Sequence, residues 1–325
     1  MKPYRYPHSL IFMIIVLSIF LAACSQNVTP TETSDEPVTL RIAVLPILDA
    51  LPMYVAQQED LFEKHGVEVE FIPVASAAER DQVITSGQAD GMINEAVSTL
   101  FYNKDETQIQ IVRFARTATP SSPQFFILAS GQSGITNVAD LKGVAVGISE
   151  GTVIEYLTDR LLEAEGFTQE EIQTVAVPKI PERMTLLGSG ELDAAMLPDP
   201  LASLAAQGGA VVVLDDSKHP EFGYSTISFR LPVIEANPQA VKNFLSAIEE
   251  ATDKINSDPT KWENLLTENQ LVPAPLMGTF EVPPYPTASI PNKDQWDDAL
   301  AWAKAKGLID VDVSYEDSVT GAYLP

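Results

Sequence analysis

From residue 38 onward, short runs of β-branched and aliphatic residues alternate with stretches of helical length whose apolar positions recur every three to four residues. That alternation predicts an α/β fold with parallel strands. Ten strands are expected, over residues 40–45, 67–74, 90–93, 108–115, 124–128, 144–147, 172–177, 193–196, 210–214 and 226–230. Helices are expected between them, among them residues 50–64, 77–86, 153–165 and 181–187. Past Pro232 the strand pattern stops, and helices are expected over residues 238–256, 260–268 and 293–306, with a proline-rich stretch (273–291) before the last. The stripes Phe244/Ile248/Ala251/Ile255 and Trp296/Leu300/Ala303 have helical spacing and read as core.

Ahead of residue 38 the pattern is different. Lys2 and Arg5 precede an apolar run over residues 10–23, interrupted only by Ser18. Such a run is too short to span a bilayer and suits the core of an export signal. It ends Leu21-Ala22-Ala23-Cys24, which looks like a bacterial lipoprotein signal whose cysteine takes the lipid. An ordinary secretory signal or an uncleaved anchor would also place the domain outside the cytoplasm. Residues 25–37, polar or proline except for Val28, have nothing to bury and read as a flexible tether.

The chain also repeats itself. Residues 79–90 align without a gap onto residues 182–193 at an offset of 103, with Glu79, Arg80, Ser86, Gly87 and Asp90 recurring as Glu182, Arg183, Ser189, Gly190 and Asp193. The same offset carries the strand at Arg41 onto the one at Val144, and Asp49 onto Thr152. A period this long marks a duplicated domain, since solenoid repeats are much shorter. The expected organisation is a signal over residues 1–23, a tether over 24–37, a first lobe from 38–123 and 225–325, and a second lobe from 124–224. Residues 120–128 and 224–230 would cross between the lobes as a two-strand hinge, with a ligand cleft at the carboxyl ends of the parallel strands.

Composition narrows the function. Against 45 Asp+Glu stand 20 Lys+Arg, a net charge of −25 that disfavours any nucleic-acid partner. One cysteine and three histidines leave no intrachain disulfide and little for a metal centre, so no cofactor is expected.

Several segments together resemble a family. Leu40-Arg41-Ile42-Ala43-Val44, Pro52-Met53-Tyr54-Val55-Ala56, Leu61-Phe62-Glu63-Lys64-His65-Gly66-Val67 and Ser86-Gly87-Gln88-Ala89-Asp90-Gly91, behind the signal and Cys24, are similar to substrate-binding proteins of bacterial ABC importers. The group resembled is the sulfonate, nitrate and thiamine-precursor one. Residues 135–146, Ser189-Gly190-Glu191-Leu192-Asp193-Ala194-Ala195 and the ending around Lys306-Gly307-Leu308-Ile309 extend the likeness to essentially residues 40–325. The resemblance implies the type II periplasmic-binding-protein fold and no catalysis. One branch of the family makes a thiamine pyrimidine with a cysteine-rich iron loop, and with Cys24 alone this chain departs from it. A monomer is expected, binding a small solute and delivering it to an ABC transporter permease while a lipid at Cys24 holds it to the membrane.

Two other classes stay open: a lipid-anchored serine hydrolase and a structural adhesion lipoprotein. Gly147-Ile148-Ser149-Glu150-Gly151 matches the nucleophile-elbow pattern between a strand and a helix, but His219 is the sole histidine after it and lies in a polar turn. For binding, the candidates sit at strand ends. Asp49, Ser76, Thr152 and Asp199 each read as a helix cap, the second and third as capping boxes with Glu79 and Glu155, and each could also touch ligand. Ser149 and Gly151 belong to the glycine turn whose amides would face the cleft. Asn94 could read a heterocycle edge, Arg116 is the one guanidinium placed for the cleft, and Phe125 and Tyr224 lie on the crossovers where a ring could stack. Arg80 and Arg183, equivalent in the repeat, read as structural. Carboxylates at Asp49, Glu95, Glu150 and Asp199 favour a neutral or cationic heterocycle, such as a thiamine pyrimidine or a flavin, over a sulfonate or nitrate.

Overall fold

A computed structural model of the chain describes Met1 and residues 37–325. The signal, Cys24 and the tether up to residue 36 lie outside the described residues. No described helix is long and apolar enough to cross a membrane.

All ten strands form, each within two residues of its expected start: β1 (Thr39–Val44), β2 (Glu68–Pro73), β3 (Gly91–Asn94), β4 (Ile109–Thr117), β5 (Phe125–Ala129), β6 (Ala145–Ile148), β7 (Gln173–Ala176), β8 (Ala194–Pro198), β9 (Val211–Asp215) and β10 (Tyr224–Arg230). They make two five-stranded sheets of one topology, β2-β1-β3-β10-β4 and β7-β6-β8-β5-β9. In each, three parallel strands are followed by an antiparallel one contributed across the duplication. The offset of 103 is visible in the element starts, since Ala77 and Gly91 open a helix and a strand whose counterparts open at Ile180 and Ala194.

The crossing differs from the one expected. β5 and β10 do not pair with each other; β5 lies between β8 and β9, and β10 between β3 and β4. The chain passes between the sheets just ahead of these strands, in residues 118–124 and 216–223. There Ala118 N donates to Gly223 O at 2.7 Å, and Gln124 N donates to Asp216 Oδ1 at 2.8 Å. A strand that completes its own sheet satisfies its backbone polar groups there, which leaves the short preceding segments as the crossing.

The helix expected over residues 50–64 is broken into Leu51–Gln58 and Leu61–Lys64, with Asp60 in the left-handed region at φ 55°. Glu59 at the break is held by Lys254 and Lys261, each at 3.2 Å. The long helix Pro238–Ser257 buries Phe244, which stacks on Phe62 at 5.4 Å and meets Phe229 edge-on, so the first sheet gains its cover from a distant stretch of sequence. The helix Lys293–Ala305 packs against both lobes: its Trp296, Ala299, Trp302 and Ala303 share a core with Ala96, Leu100 and Phe114 of the first and with Ile127, Val146, Leu157 and Met196 of the second. Trp302 Nε1 donates to Asp159 at 2.8 Å and Tyr156 Oη to Asp298 at 2.8 Å, so polar groups fix what the apolar stripe alone left open.

Candidate functional site

Beside the crossing, the described residues line an open cavity of about 340 Å³. One wall comes from β4 through Arg116, a second from β5 and the turn after β8 through Phe126, Asp199 and Ser203, and a third from the proline-rich segment through Leu276, Phe280 and Glu281. Ser121, Ser122 and Pro123 of the crossing segment complete the lining. Both sheets therefore contribute to a space of ligand size.

Arg116 of the lining also meets Asp49, which is not itself a lining residue. Asp49 does not cap a helix as its sequence context suggests. It lies within the single 3₁₀ turn Leu48–Ala50, and its carboxylate is turned toward Ser225 and Arg116, which the helix pattern of residues 50–64 gives no sign of. Asp49 Oδ1 accepts from Ser225 Oγ, and Asp49 Oδ2 lies 3.7 Å from Arg116 Nη1. The two side chains are 12% and 4% exposed, so the pair is largely removed from water. Asp199 Oδ1 accepts from Ser203 N at 3.2 Å and Ser203 Oγ at 2.6 Å, holding the start of the helix Leu201–Gln207. Burial pushes the Asp199 carboxyl up, while these bonds and the Arg116 charge pull the other way.

The remaining candidates do not line this cavity. Ser76 caps its helix by accepting from Glu79 N at 3.2 Å, and Thr152 accepts from Ile154 N at 3.2 Å. In both boxes the glutamate reaches one residue earlier than the cap: Glu79 to Ala75 N and Glu155 to Gly151 N, each at 2.7 Å. Gly151, at φ 67°, makes the turn that only glycine adopts freely. Ser149 Oγ donates to Pro178 O at 2.9 Å. Asn94 is saturated: its amide donates to Ser98 and Thr99, and its oxygen accepts from Thr226 at 3.0 Å and Ser228 at 2.6 Å. Tyr224 is buried against Phe114, its hydroxyl pushed up by burial and by Glu95, and that oxygen has no partner among the described residues. Glu95 holds Ser98 N at 2.7 Å, and burial raises its carboxyl against the pull of Arg80. Arg80 pairs with Asp81 and Arg183 donates to Val177 O, both inside their own lobes.

Phe125 faces the core shared with the second sheet, and Phe126 faces the cavity. Alternate strand residues point to opposite faces, so two adjacent aromatics leave the choice open to a register error of one. Phe280 and Glu281 carried no signal, because a proline-rich stretch has no periodicity from which a facing side can be read. Among the described residues no group of three or more His, Cys, Asp or Glu could hold a metal ion.

Two α/β sheets of one topology, crossed by two short segments with a cavity beside the crossing, define the two-lobed periplasmic-binding-protein fold. The solved structure of the periplasmic aliphatic sulphonate binding protein SsuA from Escherichia coli superimposes with a TM-score of 0.71 at 22% identity, covering 85% of this chain and 95% of that one. The chain belongs to the NMT1/THI5-like family, whose model matches residues 48–262. A candidate binding protein of Brucella abortus is 24% identical over 210 residues, 63% of this chain and 63% of that protein's length. A candidate thiamine biosynthesis protein of Haemophilus influenzae is 25% identical over 226 residues, 66% of this chain and 68% of that one.

Proposed function

We propose that this protein is an extracytoplasmic solute-binding component of an ABC importer, held to the membrane by a lipid on Cys24. It captures a small solute between its lobes and hands it to a permease. The observation that carries the reading is the cavity at the crossing, lined by both sheets and by the segment after residue 272, so that a bound molecule would contact both lobes and favour their closed arrangement. The names of the relatives, binding proteins among them, point the same way. The cavity lining carries Asp199 and Glu281 against Arg116, so a simple anion meets two carboxylates for one cation. At an effective dielectric near 20, each such contact is worth several kcal/mol, roughly 4 at 4 Å. The favoured solute is therefore a neutral or cationic heterocycle, a thiamine pyrimidine or a flavin, ahead of a sulfonate or nitrate.

The serine-hydrolase alternative gains no support. Ser149 Oγ is spent on Pro178 O, and His219 faces Glu165 and Glu221 at 3.6 and 3.8 Å. Equilibrium dialysis with an aminopyrimidine, riboflavin, taurine and nitrate tests the proposal. Stoichiometric uptake of a heterocycle, recovered unchanged, is expected. Micromolar binding of taurine or nitrate with neither heterocycle would overturn the solute class, and conversion of any of them would overturn the binding role.

A further inference from the structure

Arg116 is served unlike its neighbour on the same strand. Arg113 is fully buried, and its guanidinium donates to Phe114 O at 2.7 Å, Glu249 at 2.6 Å and Pro286 O at 2.8 Å. Arg116 is almost as buried, yet its guanidinium makes no hydrogen bond to any described residue. The nearest carboxylate oxygen, Asp49 Oδ2, is 3.7 Å from Nη1, beyond hydrogen-bond length. The Arg116 guanidinium, a permanently charged group on a side chain 4% exposed, thus lines the cavity with N–H donors that no described residue receives. Ser225 fixes the arrangement: its hydroxyl donates to Asp49 and accepts from Arg116 N at 3.2 Å, which keeps Asp49 as a positioning residue beside the cation.

Asp199 is the complement. One of its oxygens is engaged by Ser203, and the other accepts from no described group, in a side chain that lines the same cavity. The apolar lining of the same cavity includes Phe126, from the second sheet, and Phe280, from the proline-rich segment.

Taking the cavity as the solute site, we infer that Arg116 and Asp199 are its specificity pair, and that the ligand is a flat ring with both kinds of edge: an acceptor atom for Arg116 and an N–H donor for Asp199, with Phe126 and Phe280 against its faces. A ligand with the acceptor alone leaves Asp199 desolvated and unpaired, and one with the donor alone does the same to Arg116. A zwitterion without a ring satisfies the charges and forfeits the aromatic walls.

Isothermal titration with cytosine and riboflavin (ring, donor and acceptor), benzenesulfonate (ring and acceptor), benzamidine (ring and donor) and taurine (no ring) tests this. At least one of the first two should bind about tenfold or more tighter than each of the other three. Arg116→Gln should weaken benzenesulfonate more than benzamidine, and Asp199→Asn should weaken benzamidine more than benzenesulfonate. These opposite changes in a ratio cannot come from a general folding defect. Benzenesulfonate or taurine binding as well as the two-edged rings, or ratios that neither variant moves, would overturn the specificity pair while leaving solute capture in place. A protein that takes up none of the five would overturn the pair alone, since uptake of an aminopyrimidine or nitrate in the dialysis would still uphold solute capture.

Discussion

Asp49 and Arg116 carry opposite charges in nearly dry surroundings without a hydrogen bond between them, and Asp49 is the carboxylate closest to that guanidinium. Removing one partner of a largely buried pair is costly because the other charge is left without compensation. Asp49→Ala should therefore destabilise the protein by about 3 kcal/mol in urea denaturation at pH 7, while Asp49→Asn, which keeps an oxygen for Ser225, should lose less. Equal losses would mean that the charge contributes nothing. At this scale the sequence was partly legible. A strand-end arginine and an acidic residue before a proline-started helix can be picked out by type and place, as Arg116, Asp49 and Asp199 were. Asn94 could not be sorted the same way, because its four partners come from residues 98, 99, 226 and 228, the last two far along the chain.

Among the elements, the two crossing segments are packed around one buried carboxylate. Asp216 is inaccessible to solvent; Oδ1 accepts from Gln124 N and Oδ2 has no hydrogen-bond partner among the described residues. Gly223 presses against it, and a Cβ there would lie 2.0 Å from Oδ2 and 2.9 Å from the Ala118 Cβ. Gly223→Ala should accordingly cost roughly 2 kcal/mol, read from the denaturation midpoint, because neither neighbour can withdraw without shifting the crossing. A variant as stable as the parent would show that the segments are loosely packed. Burial pushes the Asp216 carboxyl up from 3.8 to about 6, with neighbouring Asp215 adding to the rise and the Gln124 and Phe125 amides and Arg116 opposing it. A raised folded-state value means that the native protein holds this proton more tightly than the unfolded chain. The contribution is complete below about pH 3.8 and is lost as the pH rises through about 6, a change of about 3 kcal/mol. Comparing wild type with Asp216→Asn across pH 4 to 7 isolates it: the wild type should lose stability relative to the variant over that range. Parallel curves would contradict the assignment. The strands were readable because β-branched runs bounded by turns carry their own signal; the break at Asp60 was not, since it is held by Lys254 and Lys261 about two hundred residues away.

For the molecule as a whole, the duplication was the most informative feature of the sequence, because one offset predicted two lobes before any strand was paired. The two sheets of identical order are its structural counterpart. What the repeat could not supply lies where its copies differ or end: the helix Lys293–Ala305, which has no counterpart in the repeat and binds across to Tyr156 and Asp159, and the proline-rich wall of the cavity. Solute capture by two lobes requires that occupancy and closure be the same event. The direct measurement is small-angle scattering with amide hydrogen exchange, on the protein alone and saturated with whichever of cytosine, riboflavin or an aminopyrimidine binds. The account predicts a smaller radius of gyration on saturation, with slower exchange in residues 118–124 and 216–223. A demonstrably bound ligand that leaves the scattering profile and the exchange of both segments unchanged would contradict it.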